Sequence, residues 1–423
     1  MGFLHEQFIL PLGDLLRGTQ VHKYLKLMDE AQEWTPSQTA AFQQERLRRL
    51  IVHAATEVPF YRDWFFDHCI DPGTATLDQL PIVSKSIMRQ EGLVRFSAEH
   101  FPAKERIASA SSGSTGEPFS FFTTKEADSV NAAAKIMTWY NTGYHLGDRY
   151  VKIAYQPRPM IKKWQDRLNN CTYLQFTSPG EADMDCLLRQ VGKARPTIIR
   201  AHANVAFYLA QAQQRLHLSI TPRVVMTTAT NLTASYREAI QKAFGCEVID
   251  SYSCEGTPCV YETPLHDGYH ICQTYGIIET LDDDGRPVQD GLAHVISTDL
   301  WNMAQPFIRY DTLDVVEMKS GVIVRIAGRD NEQFTAKNGR VFTGYAVGDY
   351  FALKQKEIDT YQIVCKKDDS LEIRIIPGHG FVPQQANQIE EHWRQATGQQ
   401  VTVKTTKLPI LSPNSKQKTI IHE

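Results

Sequence analysis

An early segment of the chain carries hydrophobic residues at helical spacing. Between 37 and 56 the apolar positions recur every three or four residues, at Phe42, Leu47, Leu50, Ile51 and Ala54. This spacing predicts one amphipathic helix, with Ser37 as its cap and the stretch VPFYRDWF at its end.

From about residue 149 the pattern changes to short apolar runs that alternate with helical segments. The runs are YVKIAY, TIIRAH, RVVMTTAT and CEVIDSY, and the helical segments span 204–215 and 233–244. Alternation of this kind predicts right-handed crossovers and a largely parallel sheet covered by helices.

After residue 274 the apolar runs become shorter and follow one another without helices. They read HVIST, FIRY, DVVEM and VIVRIAG, with a turn at Asp284-Gly285, and predict an antiparallel or barrel-like section. The tail reads as strands YQIVCKK, LEIRIIP and VTVKTTK around a helix that opens at Pro383 and stops at Gly398. We therefore expect an α/β protein with a large multi-subdomain region at 1–328 and a small α+β domain at 329–423.

Composition places this chain among soluble globular enzymes. Of its 423 residues 42% are hydrophobic and 22% charged, which is close to average. A formal charge of -3 leaves no basic excess for a nucleic-acid partner. The apolar patch at 8–12 is too short for a signal peptide or a membrane insertion, so the cytoplasm is the expected location. Eight cysteines without a CxxC pair indicate reduced thiols.

The segment SASSGSTGEPF, at 109–119, is the first candidate for chemistry. Its glycines permit tight turns and its hydroxyl side chains offer donors at a density suited to a triphosphate. The candidate phosphate-binding residues are Ser111, Ser112, Gly113, Ser114, Thr115 and Gly116. Taken alone, the same composition also suits an ordinary surface loop.

This segment resembles the phosphate loop SSGTTGKP of adenylate-forming enzymes, with Glu117 in place of the usual lysine. Further motifs of that superfamily follow in the same order: DSYSCEG at 250–256, RYDTLD at 309–314, GRDNE at 328–332 and LSPNSKQKTII at 411–421. The resemblance runs from about residue 38 to 420 and is to the phenylacetate-CoA ligase/CapK branch.

The resemblance implies a role for particular residues of this chain. Glu255 is expected to hold magnesium, Asp314 and Arg329 to contact the ribose, and Asn331 to be the hinge of the small domain. Lys416 is the expected mobile catalytic lysine, with Lys418 as the alternative. The remaining expected ATP or AMP contacts are Ala229, Thr230, Ser251 and Tyr252, of which either of the last two could take the aromatic position beside adenine.

This sequence departs from the superfamily's motifs at three places. Leu313 stands where RYRTGD has glycine, Glu117 replaces a lysine, and SYSCEG lacks a glycine. These departures raise the hypothesis of a catalytically reduced homologue that binds nucleotide or acid without turnover. The presence of Glu255, Asp314, Arg329 and Lys416 favours an active enzyme.

Two further groups of residues suggest ligand sites. The aromatic and polar residues Trp139, Tyr140, His202 and Asn204 are candidates for an acid pocket, with core packing as the alternative for the aromatic ones. Cys259, His266, His270 and Cys272 lie close in sequence and raise a minority hypothesis of zinc. Some relatives complete a zinc site with a CxCG segment just before the motif that corresponds to GRDNE, but here the segment MKSGVIVRIAGR at 318–329 has no cysteine.

The activity that the resemblance implies is ATP-dependent activation of an aromatic or apolar carboxylic acid as acyl-AMP, followed by transfer to a thiol such as CoA. ATP and Mg²⁺ are the expected cofactors. The alternative acceptors are a carrier protein, an amine or a polysaccharide sugar.

Overall fold

The computed structural model describes residues 4–110, 119–254, 256–329, 333–344, 347, 350–351, 357–378, 380–410 and 418–423. The chain forms two compact units, Met1–Asp148 with Ser251–Ile326, and Arg149–Asp250 with Ala327–Glu423. The predicted boundary at 328/329 lies two residues beyond the last break between these units and stays a prediction.

The first unit is helical at its start and rich in antiparallel strands at its end. Its helices are a π-helix His5–Ile9, α1 Leu10–Arg17, α2 Val21–Ala31, α3 Pro36–Glu57, α4 Pro59–Asp67, α5 Lys85–Glu91, α6 Lys125–Tyr140 and the 3₁₀ turns Leu77–Gln79, Leu93–Phe96 and Ala103–Glu105. Its strands are β1 Val83–Ser84, β2 Arg106–Ala110, β3 Ser120–Thr124, and, later in the chain, β9 Val260–Glu262, β10 Tyr269–Ile271, β11 Gly276–Leu281, β12 Gly291–Asp299, β13 Tyr310–Lys319 and β14 Val322–Arg329.

Helix α3 confirms the helix predicted from the apolar stripe at 37–56. Its cap is Thr35 rather than Ser37. The Thr35 hydroxyl accepts a hydrogen bond from the Gln38 backbone amide, and the Gln38 side chain accepts one from the Thr35 backbone amide. The stretch after α3 is not a loop. Val58 is extended and Pro59 occupies the first helical position, so a second helix, α4, begins at once.

The antiparallel section of the first unit follows the predicted change of pattern. Its strands are ordered β11-β12-β13-β14-β10-β9, and β1 adds to β13 in parallel. The prediction of FIRY as a strand is wrong for its first three residues. Strand β13 begins at Tyr310, because Arg309 has a left-handed φ of 46°.

The second unit begins with the predicted parallel sheet. Strands β4 Tyr150–Ala154, β5 Cys171–Gln175, β6 Ile198–His202 and β7 Val224–Thr228 are ordered β7-β6-β4-β5, and β8 Glu247–Tyr252 follows in sequence. The helices between them are α7 Met160–Leu168, α8 Glu181–Ala194, α9 Ala203–Leu216 and α10 Ala234–Phe244. Apolar residues of β4, β6, β7 and helices α8 to α10 form one buried core.

The tail of the second unit has its own core, centred on Trp393. Its elements are β15 Gln333–Thr335, β16 Val341–Thr343, β17 Ile358–Cys365, β18 Leu371–Pro377, α11 Pro383–Thr397, β19 Val401–Thr405 and β20 Ile420–His422. Four of the strands form a sheet ordered β19-β18-β17-β20, and α11 ends at Gly398 with φ +70°, as predicted. These features confirm the predicted α/β class with a small α+β tail.

No helix in the described ranges is both long enough and apolar enough to cross a bilayer.

Candidate active site

The motif RYDTLD forms a bulge on strand β13. His294 of β12 pairs with Val315 of β13, and Ile296 pairs with Asp311. One residue of β12 therefore lies opposite three residues of β13, so β13 carries two extra residues. Within the bulge Leu313 adopts φ +58°, the left-handed conformation that glycine takes most easily. The backbone therefore keeps a glycine-like turn where the side chain is leucine.

Polar side chains of the bulge hold this strained turn. The Leu313 amide donates to Asp311 Oδ1 at 2.8 Å, and the Asp314 amide donates to Thr312 Oγ1 at 3.1 Å. The Thr312 hydroxyl in turn donates to the Val295 carbonyl of β12 at 2.9 Å. Because these hydrogen bonds satisfy the backbone amides of the bulge, the left-handed conformation of Leu313 is tolerated.

The bulge brings Asp314 to the end of strand β8. The Tyr252 hydroxyl donates to Asp314 Oδ2 at 2.7 Å, and Asp314 is buried. Burial, and secondly the Asp314 charge, raises the pKa of Tyr252 well above its usual value, so the phenol stays a donor. Ser251, the other candidate for the position beside adenine, pairs with Tyr261 of β9.

A second group of candidates lies at the carboxyl edge of the parallel sheet in the second unit. Asn204 Nδ2 donates to the Tyr155 hydroxyl at 3.0 Å, and the Thr230 hydroxyl donates to Asn204 Oδ1 at 3.3 Å. The His202 ring packs edge-on against Tyr155 with centroids 4.5 Å apart. Ligands of parallel α/β sheets bind at this edge, because the strands end there together.

This carboxyl-edge cluster is polar at its centre and aromatic on one side. Phe176 packs edge-on against the Tyr155 ring with centroids 5.0 Å apart. Burial raises the pKa of Tyr155 to about 12, so its hydroxyl is neutral near pH 7. A neutral phenol, an amide and an imidazole can orient a carboxylic acid without charge repulsion.

The loop after β7 contacts both this cluster and the residues at the start of the GRDNE motif. Ala229 has φ +65°, which turns the chain sharply, and Thr230 then reaches Asn204. Asn231 Nδ2 donates to the Ala327 carbonyl at 3.2 Å. Gly328 has φ +121°, and a Cβ there would lie 3.1 Å from Asn231 Nδ2, so this contact favours glycine at 328.

The small α+β tail contacts helices α9 and α10 of the same unit. The Tyr236 and Thr360 hydroxyl oxygens lie 2.6 Å apart, and Gln211 Nε2 donates to Asp359 Oδ2 at 2.9 Å. Burial raises the pKa of Asp359 to about 6 despite the Gln211 hydrogen bond. These contacts hold the start of β17 on the parallel-sheet part of the unit.

Trp139 and Tyr140, predicted for the acid pocket, have structural partners in the first unit. The Trp139 ring packs edge-on against Tyr144 with centroids 5.2 Å apart. The Tyr140 hydroxyl donates to Glu6 Oε1 at 2.5 Å, which anchors the π-helix at the start of the chain. Packing thus explains both residues, and a role for them in the acid pocket stays a prediction.

The structure gives the zinc hypothesis no support. Cys259 and Cys272 are both buried, and they are neighbours because the Cys272 amide donates to the Cys259 carbonyl at 2.9 Å. His270 is exposed and bonds Asp267 Oδ1 at 2.8 Å, and His266 sits in a left-handed turn. Within the described part of the chain, no three or more His, Cys, Asp or Glu side chains form a metal-binding group.

Several predicted residues lie outside the described residues. They are the phosphate loop from Ser111 to Gly116, the magnesium ligand Glu255, the hinge residue Asn331 and the catalytic candidate Lys416. Arg329 ends strand β14. Their roles therefore stay predictions.

Comparison with known proteins shows where this fold occurs. A crystal structure of 2-hydroxyisobutyryl-CoA ligase in the postadenylation state, in complex with R3-HIB-AMP, matches with a TM-score of 0.70 and 18% identity, over 92% of this chain and 90% of that one. The fold is that of the adenylate-forming ligases.

Sequence comparison finds similarity to proteins of the predicted branch. The chain is 21% identical to protein CapK of Staphylococcus aureus over 325 residues, which is 71% of this chain and 70% of CapK. It is 23% identical to the phenylacetate-coenzyme A ligase of Thermus thermophilus over 372 residues, 78% of this chain and 79% of that ligase. No family model matches the sequence. The predicted resemblance to this branch is confirmed.

Tyr155 and Asn231 were not among the residues singled out from the sequence. Tyr155 directly follows β4, just as His202 ends β6 and Thr230 follows β7. A rule that collects every polar residue at the carboxyl end of a parallel strand would have found Tyr155. Asn231 carries no such signal, because its partner Ala327 is 96 residues away.

Proposed function

We propose that the protein activates an aromatic or apolar carboxylic acid with ATP, forming an acyl-AMP, and then transfers the acyl group to the thiol of CoA. The observation that carries this proposal is the bulge at Leu313. It keeps the glycine-like turn of the RYRTGD motif and presents the buried Asp314 beside Tyr252. The similarity to proteins named phenylacetate-coenzyme A ligase and 2-hydroxyisobutyryl-CoA ligase supports the same chemistry.

In the first step a carboxylate oxygen of the acid attacks the α-phosphorus of ATP. A new P–O bond forms, the bond from that phosphorus to the β-phosphate oxygen breaks, and pyrophosphate leaves. Asp314 would accept hydrogen bonds from the ribose hydroxyls, since an ionised carboxylate offers two acceptor oxygens to a vicinal diol. Lys416 would offset the negative charge that builds up on the α-phosphate. Glu255 would hold the magnesium that accompanies ATP.

In the second step the thiol sulfur attacks the acyl carbon of the adenylate. The bond from that carbon to the phosphate oxygen breaks, AMP leaves, and the thiol proton passes to water. A thiol and the phosphate group need different surroundings, so the small tail would change position between the steps.

The carboxyl-edge cluster would hold the acid. Tyr155 and Asn204 can bond its carboxylate or a ring substituent, while Phe176 and His202 offer apolar ring faces. This composition favours an aromatic or apolar acid over a charged one.

Acid-dependent exchange of radiolabelled pyrophosphate into ATP tests the first step. A panel of aromatic, branched aliphatic and amino acids should give exchange with at least one aromatic or apolar acid. Adding CoA should then convert the adenylate to a thioester. Trapping by hydroxylamine without any reaction with CoA would indicate a carrier-protein, amine or sugar acceptor, and absence of exchange with every acid would favour a binding protein.

Lys416→Ala is expected to lower pyrophosphate exchange at least a hundredfold and to leave ATP affinity nearly unchanged, because the lysine acts on the transition state. Lys418→Ala is the matched control and should retain exchange. Retained exchange in Lys416→Ala with loss in Lys418→Ala would move the role to Lys418, and retention in both would remove it from this segment.

A further inference from the structure

Helix α7 exposes a stripe of large apolar side chains. Met160, Trp164 and Leu168 recur every four residues, so they line one face of the helix. Their exposed fractions are 78%, 61% and 41%. Single exposed hydrophobic residues are ordinary, but three in register form a surface.

The exposed charges of α7 are all positive. Lys162, Lys163 and Arg167 are exposed, and at 100° per residue Arg167 and Lys163 border the apolar stripe on one side. The helix has one acid, Asp166, which is buried and bonded to Arg158, with Arg158 Nε 2.6 Å from Asp166 Oδ2. Three cations therefore face solvent here on a chain whose formal charge is -3.

The position of α7 is fixed and peripheral within its unit. The helix packs on β5, which is the edge strand of the order β7-β6-β4-β5. The segment before the helix is anchored to the same strand, because the Tyr173 hydroxyl donates to the Gln156 carbonyl at 2.6 Å and Arg158 lies 4.7 Å from the Tyr173 ring centroid. The stripe is thus a property of a held helix rather than of a loose segment.

We infer that α7 is a docking face for an anionic lipid surface. Tryptophan and aliphatic side chains on one helix face, bordered by lysine and arginine, suit the boundary between acyl chains and headgroups. The long cationic side chains can reach lipid phosphates while the apolar stripe enters the interface. The association is peripheral and needs no spanning segment.

Area and charge favour a lipid surface over a protein partner. Nine residues give a helix only about 13 Å long. A stable protein interface buries on the order of 1,200 Å² or more, which one such helix face does not supply. A bilayer adapts to a small convex face, and each cation near an anionic leaflet strengthens binding by a factor of roughly five.

Sedimentation of the full-length protein with vesicles tests the inference. Vesicles of phosphatidylcholine containing phosphatidylglycerol should bind the protein at least tenfold more strongly than phosphatidylcholine alone, and added salt should weaken the binding. Equal binding to both vesicle types, or binding to neither, would overturn the lipid assignment.

Two triple variants locate the binding face. M160S/W164S/L168S and K162E/K163E/R167E should each lower binding to the anionic vesicles at least tenfold while acid-dependent pyrophosphate exchange in solution is retained. The control is F66S/V94S/L265S, which removes three residues of 83%, 83% and 79% exposure elsewhere and should bind normally. Unchanged vesicle binding by the α7 variants would contradict the proposal. So would a change of these variants from oligomer to monomer without lipid, because it would make the face an interface between copies of the chain.

A conservative variant, Trp164→Phe, tests the same face even if M160S/W164S/L168S does not fold. Trp164→Phe should retain vesicle binding and lose the blue shift of tryptophan fluorescence that the parent protein shows on binding. A blue shift that persists at full size in Trp164→Phe would place the lipid contact away from α7.

Discussion

Two buried carboxylates of this protein have opposite surroundings. Asp314, at 5% exposure, accepts a hydrogen bond from the neutral Tyr252 phenol and sits beside a strained turn. Glu372, at 1% exposure, contacts Arg374, Lys404 and Lys366 at 2.6, 2.7 and 3.0 Å.

The pKa of Glu372 shows how strongly its cations act. Burial alone would raise the pKa of this carboxyl, but hydrogen bonds from Lys404, Lys366 and Arg374 outweigh burial and lower it to about 2. A carboxylate surrounded by cations stabilises the fold, whereas a carboxylate beside a neutral donor can still accept from a ligand. Burial does not separate the two cases, but the partners do.

Asp314→Ala should break the comparison most strongly. Loss of two charge-assisted hydrogen bonds to ribose should weaken ATP binding about a hundredfold, and calorimetric titration with ATP measures it. The control is Glu317→Ala on the same strand, an exposed partner of Arg325 that should bind ATP normally. Equal ATP affinity in the two variants would remove Asp314 from the nucleotide site.

Glu372→Gln should lower the free energy of unfolding at pH 7 by about 2 kcal/mol, a value reduced because the cations are partly exposed. The folded pKa lies below the usual value, so this stability is present above about pH 4.5 and is lost as pH falls towards 2. Urea unfolding at several pH values measures both effects. ATP affinity should not change, and Glu390→Gln, in an exposed pair with Arg394, is the control. A variant as stable as the parent at pH 7 would contradict the contrast.

Tyr252→Phe removes only the hydroxyl that faces Asp314. It should weaken ATP binding about tenfold, because Asp314 loses the donor that orients it. Tyr261→Phe on the paired strand β9 is the control. If Tyr252→Phe binds ATP like the parent, the ring rather than the hydroxyl matters at this position.

Leu313→Gly should have the smallest effect, a change in the free energy of unfolding below about 1 kcal/mol. Relief of the left-handed strain at φ +58° and the extra backbone entropy of glycine nearly offset each other. Leu313→Val should destabilise the protein more, because a β-branched side chain suits this conformation poorly. Thermal unfolding of the three proteins compares them, and a stable valine variant would show that the turn is not strained.

The sequence predicted best what local patterns determine. The helix at 37–56 and the strands of 149–250 follow from residue periodicity, and α3 and the parallel strands β4, β6 and β7 confirm them. Strand β5 was not predicted. The cap at Thr35 and the helix after Val58 depend on single residues that periodicity does not weigh. The strand predicted at FIRY begins only at Tyr310, because Arg309 adopts a positive φ where its buried side chain bonds Glu279 and the Leu80 carbonyl, which are distant in sequence.

Two residues of the candidate site, Asp314 and Tyr252, came from separate motifs, and their side chains are hydrogen-bonded. Their roles at a nucleotide stay predictions. Tyr155 and Asn204 are 49 residues apart, and nothing in either segment alone specifies their hydrogen bond. Glu372 and its cations became recognisable only once strands β17 to β19 were side by side.

The interleaved second unit has a consequence during synthesis. Residues 149–250 leave the ribosome well before strand β17, because Asp359 and Thr360 lie about 110 residues after Asp250. At ~5–20 residues per second this delay is roughly 5 to 20 seconds. Until β17 emerges, Gln211 and Tyr236 therefore lack the strand that bonds them, and the nascent protein must keep that surface from aggregating.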